Sequence, residues 1–236
     1  MPDSRVVLIT GGNRGIGRKI AEEFLANGDR VAVTSRNGDA PEGALAVSAD
    51  VTDSDSVDAA FTEIEEKLGP VEVIVANAGI TRDNLLMRMS EDDFSDVIDT
   101  NLGGAFRTVR RGITSMIRAK KGRIVLISSV SGLYGVPGQA NYSSSKAGLV
   151  GLARSITREL GSRGITANVV APGYVRTEMT DALPEKQQQD YQAAIPAKRF
   201  AEPEEVARVV RWIASDEAAY ISGAVIPVDG GLGMGH

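Results

Sequence analysis

Val6-Val-Leu-Ile-Thr-Gly-Gly-Asn-Arg-Gly-Ile-Gly17 decides how the rest of the chain is read. Residues 6–9 are a continuous apolar run, the pattern of a strand buried on both faces, and a helix then runs to about residue 28. Gly11, Gly15 and Gly17 permit a tight turn in which backbone N–H groups come close to a phosphate, and the helix N-terminus adds favourable partial charge. The segment Gly11, Gly12, Asn13, Arg14, Gly15, Ile16, Gly17 is therefore a candidate nucleotide-binding turn. Its G-x-x-x-G-x-G spacing differs from the G-x-G-x-x-G of the long-studied dinucleotide-binding unit.

The next strand, residues 30–35, ends in Thr34-Ser35-Arg36 with no acidic residue closing it. An acidic side chain there would bond the adenosine ribose 2′-hydroxyl of NAD, whereas an arginine pairs with a 2′-phosphate. Arg36, together with Arg14, argues for NADPH. A short strand at 45–48 leads to Asp50-Val51, where an adenine could lie. Thr52 or Asp53 then caps a helix through Leu68, stopped by Gly69-Pro70. The apolar strand 71–75 runs into Asn77-Ala78-Gly79; Asn77 could be a turn residue only, but small residues after a central strand suit a cofactor lying over the carboxyl ends of the sheet.

Ser90-Glu-Asp-Asp93 reads as a capping signal for one long helix to about residue 119. Within it, Asn101 beside Gly103 and Gly104 is locally unfavourable. Either a helix packs closely there or the asparagine has a task. Lys120, Lys121 and Arg123 make a basic turn before the apolar run 124–127, which delivers Ser129. Thirteen positions on stands Tyr142, and four further Lys146, inside a helical pattern over 141–160. At i and i+4 a phenol and an ammonium share one helix face, and a positive neighbour pulls a phenol's pKa down toward the working range. Tyr142 is thus a candidate general acid, with Ser129 placed to orient and polarise a substrate carbonyl. Strand 166–170 ends in Ala171-Pro172-Gly173, the polar stretch 178–200 reads as a helical flap, Glu202-Pro203-Glu204 starts a further helix, and 224–228 is a last strand. Strands and helices alternate throughout. The expectation is an α/β fold: one Rossmann-type, doubly wound parallel sheet of about seven strands with helices on both faces, residues 1–236 forming a single NADP-binding reductase domain.

Composition narrows the chemistry. The chain has no cysteine, and its one histidine is residue 236, so thiolate nucleophiles, disulfides and histidine triads are excluded. Acid and base work falls to Tyr, Lys, Asp or Glu. A formal charge of −5 argues against general nucleic-acid binding. No apolar run approaches the ~20 residues of a bilayer span, and the first residues lack a signal-type apolar region. A soluble cytoplasmic protein is expected, with no metal and no membrane partner.

T-G-x-x-x-G-I-G, N-A-G, the Asn101 helix, Ser129, Tyr142-x-x-x-Lys146 and P-G, in that order over nearly the whole chain, resemble the short-chain dehydrogenase/reductases. Within that family, I-T-R-D-N-L-L-M-R-M, Q-A-N-Y and P-V-D-G-G look like the 3-oxoacyl-[acyl-carrier-protein] reductases of type II fatty acid synthesis, the glycine turn and the M-G-H ending being most similar to actinobacterial members. The resemblance implies that Ser129 holds the substrate oxygen, Tyr142 donates a proton, and Lys146 lowers the tyrosine pKa and bonds the nicotinamide ribose. It further implies that Asn101 supports a water relay to that lysine. Asn77, Ala78 and Gly79, with Pro172, Gly173, Val175 and Thr177, would border the nicotinamide. Lys120 and Arg163 would lie near the entrance and meet an acidic acyl carrier protein. Homotetramers are expected on the same ground, through the helices around 90–119 and 141–160. Ser128 and Ser131 flank Ser129, so its assignment rests on the thirteen-residue spacing and the family alignment. Two rivals stand beside this reading: a sibling ketoreductase acting on acyl-CoA, polyketide or small-molecule ketones, and a non-catalytic NADPH-binding regulator.

Overall fold

The computed structural model describes residues 4–177, 180 and 184–235. Its elements are β1 (Val6–Thr10), α1 (Gly15–Ala26), β2 (Arg30–Ser35), β3 (Leu45–Ser48), α2 (Ser54–Leu68), β4 (Val73–Ala76), α3 (Glu91–Ile98), α4 (Gly104–Ala119), β5 (Gly122–Ile127), α5 (Ser131–Tyr134), α6 (Ala140–Leu160), β6 (Ile165–Pro172), α7 (Glu185–Ala194), α8 (Pro203–Ile213) and β7 (Val225–Val228). All seven strands form one sheet in the order β3-β2-β1-β4-β5-β6-β7, and every neighbouring pair is parallel.

Strand periodicity explains why apolar runs without polar alternation fold this way. Successive side chains point to opposite faces, so Val6 and Leu8 join one core with Ile74, Ile124 and Leu126, against Phe61 and Ile64 of α2, Val109 and Met116 of α4, and Leu149 of α6. Val7 and Ile9 join the other with Val73, Val75 and Val125, against Ile20 and Phe24 of α1 and Val206 and Val210 of α8. The chain winds from β1 outward to β3, then returns to β4 on the other side of β1. That reversal leaves a crevice between the carboxyl ends of β1 and β4, where open α/β sheets bind their ligands.

The caps follow from sequence. Asp53 accepts the Asp55 N–H at the start of α2, and Ser90 accepts that of Asp93 in α3. Glu202 and Glu205 form a reciprocal capping box around Pro203 at α8. One expectation needs correction: the helix from Ser90 to residue 119 is not continuous. A π-helical turn, Asp99–Gly103, separates α3 from α4 and carries Asn101 at its centre. Close packing also occurs, since a Cβ on Gly104 would come 2.7 Å from Val51 and one on Gly112 would come 2.4 Å from Ile74. A helix packs on the stretch itself as well, since a Cβ on Gly148 of α6 would come 2.7 Å from Leu102. Of the expected flap, residues 178–179 and 181–183 lie outside the described residues; α7 is its helical part.

Candidate active site

The glycine turn follows β1 and is braced from β4. Asn77 Nδ2 donates to the carbonyls of Thr10 and Gly11, both at 3.0 Å, while Thr10 Oγ1 accepts the N–H groups of Asn77 and Ala78, both at 3.0 Å. Gly11 has φ +66°, and a Cβ on Gly17 would stand 2.4 Å from both Asn77 Nδ2 and the Gly11 carbonyl, so neither position accepts a side chain. Gly15, at φ +53°, faces space with no atom within 4 Å. Arg14 occupies the N-cap of α1 without a side-chain cap, which leaves the first-turn N–H groups of that helix directed at the same space. A glycine cradle and an uncapped helix N-terminus fit the pyrophosphate of a dinucleotide.

At the end of β2 the cation expected for a 2′-phosphate is exposed. Among the described residues neither Arg14 nor Arg36 is in an ion pair. Asp50 is held below the usual carboxylate range by hydrogen bonds from the Thr52 hydroxyl and N–H, with smaller help from Arg36 and Arg107. Its carboxylate is thus turned to its own loop, and Val51 is buried against Gly104.

Ser129, Tyr142 and Lys146 come together past the carboxyl end of β5. Ser128 and Ser129 are told apart by their surroundings: buried Ser128 donates to the Lys146 carbonyl at 2.8 Å, whereas Ser129 accepts the Ser131 N–H at 3.1 Å and its hydroxyl lies near enough to the Tyr142 phenol to favour the ionised form. Lys146 Nζ lies 5.6 Å from the Tyr142 ring centroid and donates to the Ile127 carbonyl at 2.8 Å. The expectation that the ammonium pulls the phenol down is corrected here. Burial pushes the Tyr142 phenol above its ordinary value, the Ser129 hydrogen bond opposes that, and the Asp83 carboxylate adds to it. Lys146, itself buried, is pushed down to about 8 by desolvation. Removal from water outweighs a charge that points at a backbone carbonyl rather than at the phenol oxygen.

Asn101 is 1% exposed, and both of its amide N–H groups are used. Oδ1 accepts the Ile80 N–H at 2.8 Å; Nδ2 donates to the Ile80 carbonyl and to Ser145 Oγ, both at 3.0 Å. A Cβ on Gly79 would meet Asn101 Oδ1 at 3.0 Å and Lys146 Nζ at 3.6 Å, so Gly79 is where these two approach. After β6, a Cβ on Gly173 would stand 2.8 Å from Asp229 Cα, Val175 bridges Ala201, and the Thr177 N–H bonds Thr180 Oγ1 at 2.8 Å. Tyr174 stacks on Tyr191 of α7 with centroids 4.5 Å apart and lies 5.9 Å from Phe200, which ties α7 to this loop.

Lys120 and Arg163 are not beside this cluster. Lys120 caps α4 with φ 53°, just before β5, and Arg163 is in the short turn before β6. They sit at the amino ends of two parallel strands whose carboxyl ends lead to Ser129 and Gly173, about 20 Å away along the strand. Their expected nearness to the entrance is therefore corrected within one chain. The order alone could have told it, since Lys120 comes just before β5 and Arg163 just before β6. Sequence reading also missed Thr10, Asn141 and Ser145. The last two are fully buried polar residues on α6, the helix that carries Tyr142; Asn141 stood in the sequence only as a letter of Q-A-N-Y, and nothing in a run of small polar residues gives either one a task.

Residues 11–233 match the family described as "Enoyl-(Acyl carrier protein) reductase". The chain is 59% identical over 233 residues to the 3-oxoacyl-[acyl-carrier-protein] reductase MabA of Mycobacterium tuberculosis, covering 99% of this chain and 94% of that protein. It is 57% identical to the MabA of Mycobacterium avium over 99% and 91%. Against the 3-oxoacyl-[acyl-carrier-protein] reductase FabG of Escherichia coli the identity is 45% over 98% of each chain.

Proposed function

The chain belongs to the short-chain dehydrogenase/reductase family, and on that premise we propose that it reduces 3-oxoacyl groups on acyl carrier protein to 3-hydroxyacyl groups with NADPH, in type II fatty acid synthesis. The observation that carries the chemistry is the convergence of Ser129, Tyr142 and Lys146 at the carboxyl edge of the sheet, beside the glycine cradle. The similarity to reductases named for 3-oxoacyl carriers supports the substrate.

NADPH supplies hydride to the C3 carbonyl when bound. Ser129 holds the carbonyl oxygen through its hydroxyl, and Tyr142, kept protonated at neutral pH by its buried setting, gives its proton to the oxygen as negative charge develops there. The Lys146 ammonium, 5.6 Å from the ring, stabilises the phenolate that remains and reaches toward the nicotinamide ribose. Gly11 to Gly17 hold the pyrophosphate, and Arg14 and Arg36 take the 2′-phosphate, with Asp50 and Val51 beside the adenine. Asn77, Ala78 and Gly79 on one side and Pro172, Gly173, Val175 and Thr177 on the other border the nicotinamide.

The assembly proposed is a homotetramer in the cytoplasm. It is supported by the exposed apolar side chains Leu86 (75%), Met87 (88%), Phe94 (40%) and Phe106 (47%) on and before α3 and α4, which a partner chain would cover. Lys120 and Arg163 then serve an acidic carrier at a neighbouring copy's entrance, an electrostatic match that acts mainly on encounter.

The test compares initial rates on 3-oxobutyryl carrier protein, 3-oxobutyryl-CoA and a 2-enoyl carrier protein, each with NADPH and with NADH. We expect kcat/KM to be highest for the 3-oxo carrier with NADPH, by about tenfold or more over the CoA thioester. Equal rates on CoA would favour the sibling ketoreductase, and preference for the enoyl substrate would move the activity to double-bond reduction. Equal use of NADH would remove the role given to Arg14 and Arg36. NADPH binding without turnover on any ketone would leave the regulator.

A further inference from the structure

The backbone of Tyr142 is held at both ends by buried side chains that no catalytic role absorbs. Its N–H donates to Asn141 Oδ1 at 2.7 Å, and its carbonyl accepts from Ser145 Oγ at 2.7 Å. Both residues are 0% exposed. Each hold continues to the segment after β4. Asn141 Nδ2 donates to the carbonyls of Arg82 at 2.9 Å and Asp93 at 3.1 Å. Ser145 Oγ accepts from Asn101 Nδ2, and that amide brackets the N–H and carbonyl of Ile80. Residues 80 and 82 of one loop are thus each connected, through an asparagine, to one end of the same residue's backbone.

We propose that Asn141 and Ser145 are positioning residues for the proton donor, clamping the Tyr142 backbone to residues 80–93 so that its phenol meets the Ser129 hydroxyl and a bound carbonyl oxygen at a fixed place. An N–H in the first turn of a helix has no intrahelical partner, so without Asn141 the Tyr142 N–H depends on water at a site from which water is largely excluded. Both N–H donors of each amide are used, and a buried amide with unmade donor bonds is costly. The clamp is therefore either whole or broken, the behaviour required of a part that fixes geometry. A second link reinforces the joint: Gln139 Nε2 donates to Asp83 at 2.8 Å and the Asn84 N–H to the Gly138 carbonyl at 2.9 Å. Neither Asn141 nor Ser145 touches substrate or cofactor; they act through Tyr142.

The kinetic part of this proposal rests on the ketone-reduction reading. Asn141→Ala and Ser145→Ala are each expected to lower kcat about tenfold to a hundredfold, as loss of orientation does, while the NADPH dissociation constant stays within about twofold of wild type. The Tyr142 phenol, titrated by the ultraviolet difference between each variant and the same variant carrying Tyr142→Phe, moves upward as its bond with Ser129 loosens. That titration needs no substrate, so it tests the clamp even where wild type reduces no ketone, an outcome that would overturn the functional reading alone. Unchanged kcat and an unmoved phenol in the folded variants would overturn the clamp. So would a loss of kcat matched by an equal loss of NADPH binding, which marks general disorder. Should Asn141→Ala not fold, Ser145→Ala decides by the same measurements.

Discussion

Tyr142→Phe is expected to lower kcat about 10³-fold, within the usual range for removing a general acid, with folding and NADPH affinity unchanged. The phenyl ring keeps the packing of the original side chain and loses only the hydroxyl that faces Ser129. Among the described residues no neighbour replaces it as a proton source. Lys146 Nζ is directed to the Ile127 carbonyl, and the Asp83 carboxylate is engaged as the acceptor of a hydrogen bond from Gln139. Ser129 offers a hydroxyl whose proton is far too weakly acidic for the task. Single-turnover rates of NADPH oxidation, together with NADPH titration by fluorescence, check this. A fall of less than about fivefold would place the proton elsewhere.

Lys146→Met is expected to abolish turnover and to make the protein more stable. Burial has brought the ammonium to about 8 from an ordinary 10.5. Each pH unit between those two values corresponds to about 1.4 kcal/mol, so the charged form costs about 3–4 kcal/mol when folded. Methionine fills similar volume without that cost. Loss of the bond to the Ile127 carbonyl returns about 1 kcal/mol, leaving a net gain of about 2–3 kcal/mol and a midpoint higher by roughly 4–12 °C. The pH dependence gives a sharper signature. Between 8 and 10.5 the unfolded chain holds a proton on Lys146 that the folded chain has released, so this residue makes stability rise with pH across that window. Below 8 both states are protonated and the full cost is present. Denaturant unfolding at a series of pH values should show the rise in wild type and its absence in the variant. A variant less stable than wild type at pH 7 would contradict the burial argument.

How much of this was legible in the sequence depends on where each residue finds its partners. The seven strands could be read because each is a short apolar run, and Val6-Val-Leu-Ile needs no knowledge of its neighbours to serve two faces at once. The glycine turn was legible because Gly11 and Gly17 are demanded by local geometry. The Tyr142 and Lys146 pair was legible because helical spacing places both on one face. Asn101 was marked as anomalous, but a π-helical turn is set by the Ile80 backbone it must reach, twenty-one positions away. Asn141 was visible only as a letter of Q-A-N-Y, and neither it nor Ser145 signalled its task, since most of their partners are carbonyls and N–H groups that any sequence supplies. The direction of the Tyr142 pKa was also out of reach. It depends on whether the lysine faces the phenol oxygen or the Ile127 carbonyl, a matter of ångströms within the fold.

The central claim is that hydride is delivered to C3 of a carrier-bound 3-oxoacyl group at this site. Its most direct measurement is mass spectrometry of the product formed from 3-oxobutyryl carrier protein and NADPH deuterated at the transferable position. A 3-hydroxybutyryl product with one deuterium, on C3, is the result expected here. Deuterium on another carbon, or NADPH oxidation with no labelled product, would contradict the account.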